Sequence, residues 1–487
     1  NECIMSSSTI PVFDINEYKK GRMYNIGHND YYAFSREEHT THIDQWALSA
    51  LQTVDENCLD TYLRDYSRSY YDIDFHLNEI YRFDRPDPEP NMFNEDIVEQ
   101  CRNLIRKEFR DSNVHATSLN VLEQLDQIPY ESSSSAGYGY KGKKGPFKDK
   151  VTENNHWRAI RIAKKMVLDY YDSGGACLDK QIMDSTPYIG YTRTQLTDLT
   201  EKLKVRGVWG SPFHHILIEG LSASPVLDSI SKSDCFIHMG QDPLLSVPRL
   251  IHKVSSNCEW VYTIDWSAFD STASRFEIDL AFDMIEEIIN FPNEQTKCAF
   301  KLARELFKYK KVVGPDGNIY TCNTGVPSGS FWTILIDSII NYFRINYLLI
   351  SITGKPMKMG WTHGDDGLFG LDEYVSVSKL SEEGKKYGWI INVDKSVVTK
   401  DQSNVEFLGR TTRGGFSARS IDRCLRLLVY PEYPVEDPTI SSYRAESLFN
   451  DVGRSSTRLM EVARLLRLRY GIAKEEDVPR HHRMYKF

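Results

Sequence analysis

Two adjacent carboxylates stand between apolar runs in Met359-Gly360-Trp361-Thr362-His363-Gly364-Asp365-Asp366-Gly367-Leu368-Phe369. The pattern predicts a strand, a tight turn and a returning strand. Neighbouring acids repel each other unless a cation lies beside them, and a divalent metal held by carboxylate oxygens is the usual solution. A plain hairpin turn is the alternative, because Gly and Asp are common turn residues. The tripeptide Gly-Asp-Asp is expected by chance in about one protein in ten of this length.

The composition is that of a soluble globular protein. The chain has 487 residues, of which 41% are hydrophobic and 26% charged, enough for about three domains or one large multi-lobed enzyme. The most apolar stretch, 331–347, is broken by polar residues and is not expected to span a membrane. Nine scattered cysteines without a Cys-x-x-Cys pair predict reduced thiols and no zinc site. The chain begins with Asn, so we expect the natural protein to begin earlier.

The charge is unevenly distributed along the chain. The net charge is −9, but residues 1–100 hold 20 acidic and 8 basic residues, whereas 141–165 hold nine basic and two acidic ones. A local basic surface of this kind suits contact with phosphate groups. It overlaps a flexible loop, 132–146, and a predicted helix over 155–171.

A third aspartate follows another predicted strand. The apolar run 260–264 brings Asp265 to a strand end, where it can meet the two hairpin acids and complete a three-carboxylate metal site. Asp270 follows five residues later and could reach a ribose hydroxyl. The alternative is a surface turn with two solvated acids.

A polar stripe marks the predicted helix over 329–350. Ser328 and Gly329 open this segment, and Thr333, Asp337 and Asn341 recur every four residues, which places them on one helix face. Such a stripe on an apolar helix is costly unless it is satisfied or used. Helix capping by Ser328 is the alternative for that residue alone.

Further along the chain, Lys395 could protonate a departing pyrophosphate, although a lone lysine is more often a solvated surface charge. Upstream, Arg193 and the alternating Lys202, Lys204 and Arg206 predict a strand with one basic face that could hold a triphosphate. An exposed edge strand guarded by positive charge is the alternative.

In chain order, the basic strand, Asp-x4-Asp, Ser-Gly-x3-Thr-x3-Asp, Gly-Asp-Asp and the lysine resemble motifs F, A, B, C and D of viral RNA-dependent RNA polymerases. Phe407-Leu408-Gly409 resembles motif E, and 132–146 resembles the template-guiding motif G. The resemblance covers about residues 130–412 and is strongest to the partitivirus group, with picobirnavirus polymerases next. Departures include Asp337 where many viral polymerases have Asn, Gly367 where Ser is common, and Gly207 where Pro or Leu is common.

The resemblance implies an α+β, right-hand fold with fingers, palm and thumb, an antiparallel palm sheet and a closed fingers–thumb arrangement. The implied domains are 1–126 (acidic N-terminal extension and start of the fingers), 127–250 (fingers), 251–290 (palm), 291–320 (fingers insertion), 321–412 (palm) and 413–487 (thumb and C-terminal tail).

The resemblance also implies residue roles. Asp265, Asp365 and Asp366 would hold two Mg²⁺ ions, with Mn²⁺ as a substitute, and Lys395 would be the general acid. The implied nucleotide-binding residues are Arg193, Lys204, Arg206, Asp270, Ser328, Gly329, Thr333 and Asp337. The implied RNA-binding residues are Ser135, Gly137, Lys141, Lys143 and Lys144. The implied partners are template and nascent RNA, rNTPs and a viral capsid protein, without a membrane, for a monomeric enzyme inside the virion in the host cytoplasm.

Three rival interpretations are open to test. A reverse transcriptase usually has Tyr at the position of His363 and an aromatic residue at that of Asp270. A P-loop NTPase would use Gly137-x4-Gly142-Lys143, but Lys144 stands where Ser or Thr should bind Mg²⁺. A non-enzymatic RNA-binding or capsid-associated protein would bind RNA without incorporating nucleotides.

Overall fold

The computed structural model describes residues 15–20, 22–33, 41–69, 72–149, 153–201 and 205–483. Its helices are α1 Ile15–Lys20, α2 Gln45–Val54, α3 Ile73–Tyr81, α4 Glu95–Asp111, α5 Asn155–Asp172, α6 Leu178–Met183, α7 Phe213–Ser231, α8 Pro243–Asn257, α9 Phe269–Thr272, α10 Arg275–Glu286, α11 Glu294–Lys308, α12 Thr333–Thr353, α13 Val377–Lys385, α14 Ile421–Val429, α15 Pro438–Asp451 and α16 Thr457–Tyr470. Its strands are β1 Asn25–Ala33, β2 Tyr66–Arg68, β3 Ala116–Thr117, β4 Tyr188–Thr194, β5 Leu196–Asp198, β6 Val205–Gly210, β7 Trp260–Thr263, β8 Ile289–Asn290, β9 Lys310–Val313, β10 Asp316–Cys322, β11 Met359–His363, β12 Asp366–Leu371, β13 Val397–Thr399, β14 Thr411–Arg413 and β15 Phe416–Ala418. This mixture confirms the α+β class.

A four-stranded sheet in the order β11-β12-β7-β13 carries the acidic hairpin. Every neighbouring pair in this sheet is antiparallel. β11 and β12 form the predicted hairpin, with His363 opposite Asp366. Because β7 is the neighbour of β12, the segment that follows β7 brings Asp265 to the same end of the sheet. The strand–turn–strand prediction is therefore confirmed.

Helix α12 lies in the largest hydrophobic core, which it shares with α4 and α10. The predicted helix over 329–350 is confirmed, but it begins at Thr333 because residues 327–332 form a separate loop. Among the described helices, α12 alone is long and apolar enough to cross a membrane by length and composition, and 89% of its apolar window is buried inside the protein.

A mixed five-stranded sheet in the order β1-β10-β9-β4-β6 forms the second layer of the site. The turn residues Gly314-Pro315-Asp316-Gly317 predict a hairpin between two short strands. β9 and β10 form it, and Gly317 takes a φ of +80° that glycine tolerates. The predicted basic strand is present as β6, which begins at Val205. Lys202 and Lys204 lie outside the described residues.

The acidic N-terminal segment connects the five-stranded sheet with the C-terminal helices. β1 pairs with β10, whereas α2 packs in one hydrophobic cluster with α14, α15 and α16. The buried Asp44 carboxylate caps α2 and accepts hydrogen bonds from Ser441 and Arg444 of α15. The chain then returns to pair β2 with β5. Sequence reasoning did not predict this packing, because it joins segments about 400 residues apart.

Periodic apolar residues placed several helices correctly. The helical spacing of apolar residues also predicts helices around 97–109, 274–290 and 455–470, and α4, α10 and α16 form there, as α5 does at the predicted 155–171. In α16, Leu459, Val462, Ala463 and Leu466 are buried, as the predicted stripe requires. Tyr470 of the same stripe is 37% exposed, because the helix ends there. The eight cysteines in the described part of the chain are unpaired, as predicted.

Candidate active site

The acidic turn is held from below by helix α12. Gly364 has a φ of +60°, which favours glycine at the first position of a two-residue hairpin turn. The Asn341 side-chain amide donates to the carbonyl oxygens of Gly364 at 3.0 Å and Asp366 at 3.1 Å. The Ser338 hydroxyl accepts the Gly364 N–H at 2.8 Å. Part of the polar stripe on α12 is therefore used to fix the backbone on which Asp365 stands.

Gly367 has a packing reason. A Cβ at this position would lie 3.3 Å from Asn341 Nδ2, the nitrogen that holds the turn. Asn341 is itself fixed, because its Oδ1 accepts the Trp266 indole N–H at 2.8 Å. A larger residue at 367 would have to displace this amide, so glycine suits the close approach.

A cavity of about 650 Å³ opens above the turn. Its walls combine acidic residues from the antiparallel sheet and α12 with residues from α3, β6 and the loop before α12. The predicted site residues that line it are Arg206, Asp270, Ser328, Thr333, Asp337 and Asp365. The structure therefore gathers residues from four of the predicted motifs around one space.

Asp270 and Asp337 form a hydrogen-bonded pair of carboxyl groups. Burial raises the pKa of Asp337 well above its usual value, and the neighbouring Asp270 raises it further. Two adjacent carboxylates repel each other, so ionisation of one disfavours ionisation of the other. Asp337 Oδ1 has no hydrogen-bond partner in the described structure, so it can accept one from a ligand.

Asp265 and Asp365 interact electrostatically across the sheet end. Burial raises the pKa of Asp365, and the charges of Asp270 and Asp265 add to this effect while Arg206 opposes it. Burial also raises the pKa of Asp265, and Lys395 opposes the rise. Mutual repulsion of this kind is what a bound cation relieves.

Asp366 differs from its two companions. Its Oδ2 accepts the Leu408 backbone N–H at 2.9 Å, and burial raises its pKa to about 7. Among the described residues, no three Asp, Glu, His or Cys side chains are arranged to hold one ion, so the expected three-carboxylate cage is not assembled. Asp265 and Asp365 nevertheless fit Mg²⁺, which is commonly bound by one or two carboxylates together with substrate phosphates.

The loop before α12 is fixed to strand β6. The Ser328 hydroxyl accepts the Trp209 N–H at 2.8 Å. A Cβ on Gly329 would lie 1.9 Å from the Trp209 carbonyl oxygen, so this close approach requires glycine. The interpretation of Ser328 as a helix cap is wrong, because α12 begins five residues later and Ser328 binds the neighbouring strand.

Glu219 is a site-supporting residue that sequence reasoning missed. It is buried on α7, and its carboxylate accepts the Ser330 hydroxyl. Ser330 in turn lines the cavity. Burial raises the pKa of Glu219 to about 8. The available signal was a single acid in the apolar run Leu217-Ile218-Glu219-Gly220-Leu221.

Glu219→Gln should change how stability depends on pH. The pKa of Glu219 in the folded protein, about 8, lies above its ordinary value of 4.5. The free energy of unfolding of the wild type therefore falls as pH rises from about 4.5 to about 8. Over this range Glu219 ionises in the unfolded chain but resists ionisation in the folded protein. Relative to wild type, the free energy of unfolding of Glu219→Gln should rise over this range, by at most about 1.4 kcal/mol per pH unit.

Urea unfolding of both proteins between pH 5 and pH 8 measures this difference. The exposed-residue variant Glu123→Gln is the control and should not show the trend. A difference for Glu219→Gln that is constant or falls with pH would contradict the interpretation.

Arg193 is not at the cavity. It lies directly opposite Arg206 in the β4–β6 register, so the two side chains share a sheet face. Its guanidinium, however, forms an ion pair with Glu432 at 3.0 Å. Arg206 lines the cavity, and Lys204 lies outside the described residues. Of the predicted basic face, Arg206 therefore lies at the cavity, whereas Arg193 is used in an ion pair.

Lys144 of the expected RNA-binding loop has a structural role. Lys144 is 9% exposed, and its ammonium donates to the Ser134 hydroxyl at 2.6 Å and the Ser135 carbonyl at 3.0 Å. Burial lowers the pKa of Lys144 to about 8. Its assignment to RNA binding is corrected, because its charge is used inside the loop. Lys141 and Lys143 are exposed, as an RNA contact requires.

Glycine geometry and Ser135 shape the same loop. Gly137 has a φ of +93°, and a Cβ there would meet the Ser211 carbonyl oxygen at 2.8 Å. The Ser135 hydroxyl accepts the Gly137 N–H. No helix follows Lys143 directly, since α5 begins at Asn155. The segment therefore lacks the loop-to-helix geometry of a P-loop.

Lys395 lies beside Asp265. The Asp265 N–H donates to the Ser396 hydroxyl at 2.9 Å, and the Asn392 N–H donates to the Asp265 carbonyl at 2.8 Å. These bonds hold the 392–396 turn against the strand end. The Lys395 side chain itself is exposed.

Comparison with known proteins decides the family. Residues 42–466 match the family described as viral RNA-dependent RNA polymerase. The chain belongs to this family. Membership of the viral RNA-dependent RNA polymerases implies the right-hand polymerase fold and agrees with the order of motifs around the cavity.

Three related viral RNA-dependent RNA polymerases show the extent of the similarity. The RNA-directed RNA polymerase of Atkinsonella hypoxylon virus (isolate 2H) is 28% identical over 49% of this chain and 44% of the relative. That of Cryptosporidium parvum virus 1 (strain KSU-1) is 23% identical over 73% and 66%. That of White clover cryptic virus 1 (isolate Boccardo/2004) is 22% identical over 54% and 48%. The expected resemblance to polymerases of double-stranded RNA viruses is confirmed. The matches span about half to two thirds of these relatives.

Proposed function

We propose that the chain is an RNA-directed RNA polymerase. It transfers ribonucleotides to an RNA 3′-hydroxyl, releases pyrophosphate, and so transcribes and replicates a viral double-stranded RNA genome. The observation that carries this proposal is one cavity lined by Arg206, Asp270, Thr333, Asp337 and Asp365, in which Asp365 also lies within electrostatic reach of Asp265.

The architecture supports an assignment of the right-hand parts. The antiparallel sheet with α10 and α12 is the palm, and the five-stranded sheet with α5 and α7 belongs to the fingers. The helices α14 to α16 are the thumb. The N-terminal segment, with β1 in the fingers sheet and α2 among the thumb helices, supports a closed fingers–thumb arrangement.

The two strand-end carboxylates would hold the metal. Asp265 and Asp365 would bind two Mg²⁺ ions together with the substrate phosphates, and Asp366 would assist from its bond to Leu408. When bound, Mg²⁺ supplies a lowered pKa for the attacking 3′-hydroxyl and neutralises charge on the leaving pyrophosphate. Arg206 would orient the triphosphate by charge-assisted hydrogen bonds. Lys395 would donate the proton to the leaving group.

The carboxyl pair would recognise ribose. Asp337 Oδ1 is a buried acceptor without a hydrogen-bond partner among the described residues, and a 2′-hydroxyl is a donor that would satisfy it. Thr333, whose hydroxyl donates to the Pro327 carbonyl at 2.5 Å, keeps its oxygen available as an acceptor. A deoxyribonucleotide would leave the buried Asp337 oxygen unpaired, which predicts selection of rNTPs over dNTPs.

The remaining partners follow from the same proposal. The exposed Lys141 and Lys143, with Ser135 and Gly137, would guide the template through backbone phosphates without reading sequence. The enzyme would work as a monomer inside the virion, in contact with capsid protein, in the host cytoplasm.

Incorporation of labelled nucleotides by the purified chain on unprimed single-stranded RNA with Mg²⁺ tests the proposal. We expect rNTP incorporation that EDTA abolishes, and at least about 100-fold less incorporation of dNTPs. Comparable use of dNTPs would favour a reverse transcriptase. RNA binding without incorporation of either would favour a non-enzymatic RNA-binding protein.

A further inference from the structure

The end of helix α3 reaches the catalytic cavity from the acidic N-terminal segment. Glu79, Arg82 and Phe83 all line the cavity, on the side of β6. These residues precede every motif that marked the site in the sequence. The cavity wall therefore includes a part of the chain to which no function has been assigned.

Packing fixes the position of this helix end. The Phe83 and Trp209 rings are 4.5 Å apart, and a Cβ on Gly325 would meet the Phe83 ring at 2.6 Å. A Cβ on Gly207 would lie 3.1 Å from Glu79 Cβ. The glycine at 207 thus permits α3 to lie close to β6.

The balance of charged residues that line the cavity indicates a binding role for Arg82. The described residues that line it include four acids, Glu79, Asp270, Asp337 and Asp365, but only two cations, Arg82 and Arg206. An rNTP carries its negative charge on the triphosphate, so its binding needs cations on the wall opposite the acids. Arg193 is held by Glu432 instead.

Arg82 is held loosely enough to change partner. It pairs with Glu79 at 3.1 Å, one turn away on the same helix, and its side chain is 53% exposed. The Arg82 end of the pair is open to solvent, which screens the attraction, whereas the Glu79 side chain is only 17% exposed. Glu79 also accepts the Gly207 N–H through its other oxygen, at 3.4 Å, which keeps it against the strand when Arg82 moves.

We infer that Arg82 is a triphosphate-binding residue, which acts with Arg206 on the incoming rNTP and is held ready by Glu79. This inference rests on the proposed function, whose substrate it concerns. The N-terminal segment then supplies part of the nucleotide site as well as the connection between the sheet and the C-terminal helices.

Equilibrium binding of ATP and of inorganic pyrophosphate to the intact chain with Mg²⁺, by calorimetry, tests the inference without requiring turnover. Arg82→Ala should raise both dissociation constants about tenfold or more, because a guanidinium–phosphate hydrogen bond is lost. Arg82→Lys should give an intermediate effect, since it keeps the charge but not the forked geometry. Glu79→Gln should lower the constants by about twofold, because it releases Arg82.

Arg64→Ala is the matched control, because Arg64 is also an exposed arginine paired with an acid one turn away, Asp60, and does not line the cavity. Its dissociation constants should stay within about twofold of wild type. Equal constants for Arg82→Ala and Arg64→Ala would overturn the inference, and so would a rise in Glu79→Gln as large as in Arg82→Ala, which would mark a purely structural pair. Failure of the wild type to incorporate rNTPs, with the binding pattern intact, would instead reject the proposed function alone.

Discussion

Asp365→Ala should reduce nucleotide incorporation by about 10³-fold or more, while RNA binding stays within about twofold of wild type. Asp365 lines the cavity on a turn that Asn341 and Ser338 hold in place. Under the proposed function its carboxylate would hold the catalytic metal, whereas the exposed Lys141 and Lys143 do not line the cavity. Single-turnover incorporation and filter binding of labelled RNA measure the two effects separately.

Asp372→Ala is the matched control for this experiment. Asp372 follows the same strand, at the end away from the turn, and its exposed carboxylate pairs with Lys358. Its loss should change incorporation by less than about twofold. Incorporation that survives Asp365→Ala, or that falls equally in Asp372→Ala, would contradict the assignment of the turn as the catalytic centre.

Arg344→Met should lower the free energy of unfolding by about 3–5 kcal/mol. Arg344 of α12 pairs with Glu277 of α10 at 2.5 Å, and both side chains are completely buried. The guanidinium also lies over the rings of Trp266, Phe269 and Trp389. Removal of the cation leaves the buried Glu277 carboxylate with only its hydrogen bonds from Ser274, and urea unfolding measures the cost.

The double variant Arg344→Met/Glu277→Gln separates the loss of the ion pair itself from the cost of leaving a buried charge without its partner. Because it removes the uncompensated charge, it should be less destabilised than the sum of its single variants. Lys358→Met, which breaks an exposed pair, is the control and should cost less than about 1 kcal/mol. Additive losses would show that the pair is not energetically coupled.

Local sequence patterns were sufficient for the catalytic hairpin and for α12. The hairpin follows from two apolar runs around Gly364, and α12 follows from 20 residues of apolar sequence with a four-residue polar spacing. The stripe on α12 proved to serve two purposes, since Thr333 and Asp337 line the cavity whereas Asn341 holds the turn.

Residues whose environment depends on distant segments could not be predicted. Arg193 matched the motif, but its ion pair comes from Glu432, 239 residues later. Lys144 looked like a surface charge, because sequence does not show that the loop folds over its ammonium. Glu79, Arg82 and Glu219 join the site only through the packing of α3 and α7, which no local period encodes.

The most direct test of the central claim is the incorporation assay on single-stranded RNA templates that differ at one position. With Mg²⁺ and one labelled rNTP at a time, the account predicts that the wild type adds only the rNTP complementary to the varied position, and that Asp365→Ala adds none. Incorporation that ignores the template base, or that proceeds equally well in Asp365→Ala, would contradict it.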